Sequence, residues 1–420
     1  PDTLRAWERR YGLPAPERSA GGHRLYSRRD IDTLKWLTAR QREGLSIKRA
    51  VALWRQIEAQ GRDPLQAAAP LASPRTPGPA PRRAGVTLTD LRQQWAKACL
   101  AYDEGKAEQL LNEAFALYSP ETVAIEVLQQ AMAEIGEGWY RGEVTVQQEH
   151  FCSALAVRRL EALVMAAPPP IRPGRILAAC PPQEQHVIGL LLLTLLLRRR
   201  GWEVIYLGAN VPIAQLESTI EVIQPHLVIM SAQLLHTAAS LKQAAHVLEQ
   251  MDVPLAYGGL IFNLVPALSQ RIPGHFLGEQ IEAAPLVVES LMSTRPPLPA
   301  RKPVPDDYRQ ALEHYQARQD LIEAHVVEAM NAQGHSYNHL AMANRELGLN
   351  LGAALALGDM AYLGNGIEWV AELLANYDLP QEVLYAYLRA YRQSLEGQLD
   401  SRGQPILTWF GQVLDGKAGE

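Results

Sequence analysis

Residues 181–189 read PPQEQHVIG, so His186 stands two residues after Glu184 and three before Gly189. A neutral imidazole is a metal ligand, and a carboxylate within reach can hold its second nitrogen in the tautomer that ligation needs. A lone loop histidine is chemically inert by default, so its surroundings must decide. A second constellation is Trp139 followed, after nine intervening residues, by Glu149 and His150. Taken alone, a tryptophan at a helix end belongs to a core. The three cysteines, Cys99, Cys152 and Cys180, have no paired spacing, which argues against a disulfide scaffold or a zinc site and suits a reducing cytoplasm.

The elements around these residues are legible. His186 lies between the apolar run RILAAC and VIGLLLLTLLLRRR. That run's apolar core spans 187–197, well short of the roughly 20 residues a membrane span needs, so it predicts a helix buried on most sides and no membrane partner. Over 175–292, RILAAC, WEVIYLG, HLVIMS, VPLAYGG and HFLG alternate with helical stretches. The alternation predicts a doubly wound parallel sheet with its ligand at the carboxyl ends of the strands. PPQEQHVIG, LGANVP, SAQ and YGG all fall there, carrying Ser231, Gly258 and Gly259. No G-x-G-x-x-G follows the first strand, so a dinucleotide reading is weak. Residues 87–166 carry four helical periods, predicting an up-down bundle. Proline-rich 61–86 and 294–305 read as extended linkers, and APPPIRPG at 167–174 as a shorter break.

The modules are therefore 1–60, 87–166, 175–292 and 306–420, a multidomain α and α/β chain. Composition is globular, with 47% hydrophobic and 20% charged residues. Net charge is −5, yet residues 1–60 hold 13 Lys/Arg against 7 Asp/Glu, an asymmetry that points to a polyanion partner for one end.

Glu184-x-His186-x-x-Gly189 with Ser231 and Gly258-Gly259 resembles the cobalamin-binding module. The resemblance implies that His186 is the lower axial ligand of cobalt and that the glycines let the displaced nucleotide tail pass close to the backbone. In residues 1–60, TLRAWERRYGL followed by GGHRLYS resembles the MerR family of winged-helix regulators. That implies Arg5, Arg9, Arg10 and Tyr11 on or beside the reading helix, and Arg18, His23, Arg24 and Tyr26 on the wing, against double-stranded operator DNA. Arginine's bidentate fork suits guanine edges and phosphate. The family starts with a helix and turn that precede this point, so the first residues are expected to be missing.

MerR module, helical cap and cobalamin module in this order resemble the CarH-type cobalamin photoreceptor repressors, over residues 1 to about 292. The resemblance implies that Trp139, Glu149 and His150 cover the adenosyl face of adenosylcobalamin, that light breaks the cobalt–carbon bond, and that a homo-oligomer, dimer or tetramer, then releases DNA. It implies no enzyme. One departure stands out: where light-sensing members place a histidine after the cap tryptophan, this chain has Tyr140, and a phenol of ordinary pKa near ~10 is a poor cobalt ligand at neutral pH. A light-independent B12 sensor is therefore one alternative, and a corrinoid methyltransferase carrier, which shares cap and loop, another.

Residues 306–420 are helical by pattern and long enough for their own core. A helical, globin-like domain after a cobalamin module resembles the photocobilins, which bind a bilin there. No cysteine follows Cys180, so biliverdin or another bilin would be held without a thioether, with His325, His335, His339, Asp359 and Tyr362 as candidate contacts. A dimerisation or partner-binding bundle is the other reading.

Overall fold

The computed structural model describes residues 11–14, 16–18, 24–42, 47–59, 63–67, 87–334, 340–364 and 381–415. Contacts divide the chain into two compact units, Pro1–Gly85 and Val86–Glu420.

In the first unit, β1 (Glu17–Arg18) and β2 (Arg24–Leu25) pair antiparallel, Arg18 opposite Arg24. Helices α1 (Arg28–Arg42) and α2 (Ile47–Ala59) bury Trp36, Leu37, Ala50, Val51 and Trp54 between them. Trp36 and Trp54 meet edge to face with centroids 5.2 Å apart, a geometry aromatic quadrupoles favour. Arg29 grips Asp63 with two bonds of 3.0 and 3.1 Å, tying α1 to the short α3 (Pro64–Ala67). Hairpin and helices form the winged arrangement expected for this end. Arg5, Arg9, Arg10 and His23 lie outside the described residues.

The second unit opens with four helices: α4 (Leu88–Leu100), α5 (Glu104–Leu117), α6 (120–140) and α7 (Val146–Met165). Each starts on a side-chain cap. Thr87 and Thr145 form capping boxes with Asp90 and Gln148, Asp103 accepts from the Lys106 amide, and Ser119 accepts from the Thr122 amide ahead of Pro120. Midway, α6 takes a π turn over Ala124–Gln129.

Five parallel strands follow: β3 (Arg175–Ala179), β4 (Glu203–Gly208), β5 (Leu227–Ser231), β6 (Leu255–Gly258) and β7 (His275–Phe276), in the order β4-β3-β5-β6-β7. The winding reverses between β3 and β5, which opens a crevice at their carboxyl ends. On one face, Ile176, Ala178, Leu227 and Ile229 pack with α8 (Ile188–Arg199) and a later helix, α12 (Ala284–Thr294). On the other, Leu177, Ala179, Val228 and Met230 pack with α9 (Leu216–Ile223) and α10 (Leu235–Gln250). The short α11 (Leu260–Leu264) follows β6.

The leucine run of α8 is explained by its two dry sides. Leu190, Leu193 and Leu197 face the sheet, while Leu191, Leu192, Leu195 and Leu196 join the core of the four-helix cap. Each fully buried leucine contributes about 1.5–3 kcal/mol relative to an exposed one, so this one helix holds cap and sheet together.

The C-terminal helices, α13 (Asp306–Gln316), α14 (Gln319–Ala332), α15 (Leu340–Leu357), α16 (Gln381–Gln398) and α17 (Gln404–Asp415), share the core of the opposite face through α10. Residues 296–305 have no regular structure, as their prolines predict, but they are pinned to the sheet module. The Lys302 amide donates to the Gln270 carbonyl at 2.8 Å, Arg301 pairs with Glu249 at 2.8 Å, and Arg271 donates to the Pro303 carbonyl. Among the described residues, no helix is long and apolar enough to cross a membrane.

Candidate functional site

The loop after β3 is built from hydrogen bonds that its own sequence does not contain. The Cys180 amide donates to the Gly208 carbonyl at 2.9 Å and Val211 returns a bond to Cys180 at 3.0 Å, locking the ends of β3 and β4. Asn210 then clamps the loop, its Oδ1 accepting from the Gln183 amide at 2.8 Å and its amide donating to the Glu184 carbonyl at 2.9 Å. Both turn residues are left-handed, Gln183 at φ 69° and Asn210 at φ 51°, which fixes the direction in which the chain leaves the strand.

The clamp drives the Glu184 side chain wholly out of solvent, and four donors meet it there. Its Oε1 accepts from the His186 amide at 2.9 Å and contacts His186 Nδ1 at 2.7 Å, while its Oε2 accepts from the Gln233 amide at 2.6 Å and Thr237 Oγ1 at 2.7 Å. Burial pushes this carboxyl up, but the bonds from His186, Gln233 and Thr237 outweigh it and hold the group below its ordinary value. Glu184 is therefore an anion set inside the fold. It raises the His186 pKa through their hydrogen bond, partly offset by the ring's burial, with a further push from Glu149 of the cap.

The His186 side chain is still 61% exposed. With Nδ1 committed to Glu184, Nε2 is the nitrogen left for a ligand, and the carboxylate makes it a more basic donor. Among the described residues, no group of three or more His, Cys, Asp or Glu side chains gathers.

Beside this loop lies a cleft of about 210 Å³, bordered by Gly189, Ser231, Gln233, Gly258, Gly259, Asn263, Gly278 and, from the cap, Gln129. A Cβ added at Gly189, Gly258 or Gly278 would meet nothing within 4 Å, so the absent side chains leave open space in the wall. Gly259 is a glycine for a different reason. At φ 122° its Cβ would stand 1.9 Å from the Ala232 carbonyl oxygen, so the contact between the loops after β5 and β6 forbids any side chain there. Ser231 is 8% exposed and its Oγ accepts from Gln233 Nε2 at 2.9 Å.

The cap contributes its ligand end through the tight turn between α6 and α7. The Glu143 and Val144 amides both donate to the Gly138 carbonyl, at 2.8 and 3.1 Å, and a Cβ at Gly138 would stand 2.8 Å from Val144. That turn brings Trp139, at the end of α6, and Glu149 and His150, in the first turn of α7, to one end of the bundle. Trp139 is 37% exposed. His150 Nδ1 contacts Glu149 Oε2 at 2.6 Å. An imidazole backed by a buried carboxylate beside a glycine-walled cleft suits a corrinoid.

Three family models match the chain: the MerR HTH family regulatory protein over residues 1–56 and two B12 binding domains over 91–163 and 174–288. The HTH-type transcriptional repressor CarH of Myxococcus xanthus is 32% identical over 289 residues, covering 66% of this chain and 91% of that one. The chain belongs to the CarH-type family of B12-binding MerR regulators. CarA, an HTH-type transcriptional repressor of the same organism, is 31% identical over 61% of this chain and 81% of its own. MlrA of Salmonella typhimurium, an HTH-type transcriptional regulator, is 43% identical over 13% of this chain and 22% of its own. A solved structure, the monomethylamine corrinoid protein of Methanosarcina barkeri, aligns at 18% identity and TM-score 0.43, over 49% of this chain and all of that one.

Within this family member, the structure brings together Glu184, His186, Gly189, Ser231, Gly258 and Gly259 at the sheet edge, and Trp139, Glu149 and His150 at the cap end. Gln233 and Thr237, which fix the Glu184 carboxylate, escape sequence reading, although SAQ was marked as a ligand loop. Arg18 and Tyr26 are exposed on the hairpin of the first unit, Arg24 is half-buried, and the Tyr11 carbonyl accepts from Arg55 at 2.8 Å. The C-terminal candidates are less gathered. Asp359 caps the turn Met360–Leu363 by accepting from the Ala361 amide, and Tyr362, on that turn, accepts from Arg271 Nε at 3.1 Å. His325 contacts Gln398 of α16 at 3.2 Å, and His335 and His339 lie outside the described residues.

Proposed function

We propose that this protein is a light-responsive transcriptional regulator that holds adenosylcobalamin between His186 and Trp139 and, as a homo-oligomer, exchanges dark binding of an operator for release in light. The observation that carries this reading is a part-exposed imidazole held by a wholly buried carboxylate beside a glycine-walled cleft. His186 Nε2 would hold the cobalt, with Glu184 keeping the ring in the right tautomer. Gly189 and Gly258 would let the nucleotide tail enter the cleft, with Ser231 and Gln233 as its polar partners. Trp139, Glu149 and His150 would cover the adenosyl face. When bound, the cofactor supplies a cobalt–carbon bond weak enough for visible light to break.

Trp139 would then lose the group it packs against. The cap's polar ties to α8, Arg199 to Glu121 and Arg198 to the Val164 carbonyl, lie at the end remote from Trp139. The ligand end can therefore tilt about that anchor, a two-state movement able to undo contacts between subunits. Arg18, Arg24 and Tyr26, with Arg5, Arg9, Arg10, Tyr11 and His23, would supply the DNA contacts, and the relatives that are transcriptional repressors support this half. The test is an absorption spectrum and an operator mobility shift of the adenosylcobalamin-loaded protein, in darkness and after green light. Light should change both.

Tyr140, 43% exposed beside Trp139, favours a second reading as a light-independent B12 sensor. Identical shifts in dark and light would transfer the assignment to it. Methyl transfer to a thiol or pterin without operator binding would instead identify a corrinoid carrier. For 306–420 we propose non-covalent bilin binding. A groove of about 540 Å³ bordered by Asp307, Tyr308, Asp359, Arg402 and Trp409 supports it. Biliverdin added to the purified protein should produce a far-red band, and its absence would withdraw the bilin.

A further inference from the structure

Gln129 is the last residue of the π turn in α6, and its side chain borders the cleft at the sheet edge. The neighbouring Gln130 is satisfied, donating to Glu126 Oε2 at 2.9 Å and accepting from Arg92. Gln129 Oε1 is buried and no protein donor reaches it. Among the described residues with a buried, unpartnered side-chain polar atom, Gln129 is the one that borders this cleft. A buried acceptor left unmet costs stability, and a ligand that brings a donor to it recovers that cost. The π turn fits the same purpose, because one inserted residue turns the helix that follows by roughly 100° and such turns recur at functional sites.

We propose that Gln129 is a specificity-determining residue that reads the corrinoid's nucleotide tail, its amide oxygen accepting a hydrogen bond from a sugar hydroxyl. The inference rests on the corrinoid reading of the site. The size of the cleft selects the tail: about 210 Å³ lies below the roughly 300–1,000 Å³ of whole-ligand pockets. Its walls include Gly189, Ser231, Gly258 and Gly278, which follow the carboxyl ends of the strands or end them. An orphan acceptor needs a donor, and neither a phosphodiester nor a neutral benzimidazole supplies one, whereas the ribose does. The sheet thus presents Ser231 and Gln233 to the tail from one wall, and the cap presents Gln129 from the other.

The test compares hydroxocobalamin with cobinamide, which keeps the corrin ring and its amides but lacks ribose and base, in absorbance titrations of the full-length apoprotein. Gln129→Leu should weaken hydroxocobalamin about tenfold and leave cobinamide unchanged. The apoprotein Tm should hold or rise, because leucine removes the orphan acceptor, whereas a merely structural glutamine would lower it. Gln129→Glu keeps an acceptor but sets a charge against the tail phosphate, so it too should lose hydroxocobalamin alone. Equal loss for both corrinoids, or no loss, overturns the proposal. His186→Ala serves as the separate control and should weaken both. A wild type that binds neither corrinoid overturns the site reading and this inference together, while silence of both Gln129 variants beside a responsive His186→Ala overturns this inference alone.

Discussion

The two helical regions that flank the sheet are held in different ways. The four-helix cap lies on α8 through a leucine seam, Leu191, Leu192, Leu195 and Leu196, with its polar ties at the end remote from the ligand. The C-terminal helices lie on the opposite face, and to an apolar seam they add directional bonds. Lys242 Nζ of α10 donates to the Ala356 carbonyl at 2.7 Å, and Arg271 reaches the Tyr362 hydroxyl at 3.1 Å and the Gly358 carbonyl at 3.3 Å. Apolar contact is non-directional and tolerates sliding, whereas hydrogen bonds between buried groups fix a register. The interior of the C-terminal bundle repeats the contrast, with Tyr315 and Tyr391 hydroxyls 2.7 Å apart and Tyr387 donating to Asn344 at 2.9 Å. The proposed tilt of the cap therefore draws on its apolar seam, while the C-terminal bundle is also held by directional bonds.

The largest expected effect strikes the surface against which the cap closes. His186→Ala should cost on the order of 100-fold or more in corrinoid affinity and change the bound spectrum, with a small fall in apoprotein Tm because the buried Glu184 carboxylate keeps three of its four donors. A bound spectrum identical to wild type would remove the axial role. Glu184→Gln comes next. It keeps the shape but loses the anion that four donors were arranged to meet, so cofactor affinity should fall about 10–100-fold. More than His186→Ala, it should also lower the apoprotein's stability, by about 1–3 kcal/mol, read by urea unfolding. If the two variants behaved alike in both measurements, Glu184 would be a ligand-side group and not the hub of the loop.

On the cap side, Trp139→Ala should be milder and selective. The indole is part-exposed, so stability changes little, while affinity for adenosylcobalamin falls about tenfold and affinity for hydroxocobalamin holds. Competition between the two cofactors measures this directly. An equal loss for both would make Trp139 a packing residue of the bundle and weaken the contrast between the two flanks.

These expectations also show what the sequence could and could not reveal. Glu184, His186 and Gly189 sit within six residues, and Trp139, Glu149 and His150 within twelve, so one turn and one pair of helix ends suffice to present them. The strands, the cap helices and the buried nature of α8 follow from apolar period and run length. Gln233 and Thr237 are 49 and 53 residues from Glu184, and the reversal of winding between β3 and β5 is what brings them to it. The π turn that aims Gln129 has no residue signature, because AIEVLQ suits an ordinary helix equally well. Prolines announced that 294–305 would be irregular, but its partners, Glu249, Gln270 and Arg271, lie in other elements. Composition therefore described a linker where the fold has a strap.

The smallest expected effect tests the fixed flank. Burial pushes Lys242 down to about 8, with the positive charges of Arg271 and Arg301 acting the same way, from an ordinary value of 10.5. Below pH 8 the amine is protonated in folded and unfolded chains alike, and the full cost of holding a charge in the dock is present. Between about 8 and 10.5 the unfolded chain binds more protons than the folded one, so stability contributed by this residue rises with pH, and above that window it levels off. Lys242→Met keeps the length of the side chain and removes the titration. Wild type should therefore gain in Tm on Lys242→Met between pH 7.5 and about 10, while the variant's corrinoid affinity stays at the wild-type level, since the dock lies on the face away from the cap. A difference in Tm that is flat across that window would show that the Lys242 amine is not desolvated in the dock, and the directional fastening of this flank would then rest on Arg271 and its bonds to Tyr362 and Gly358.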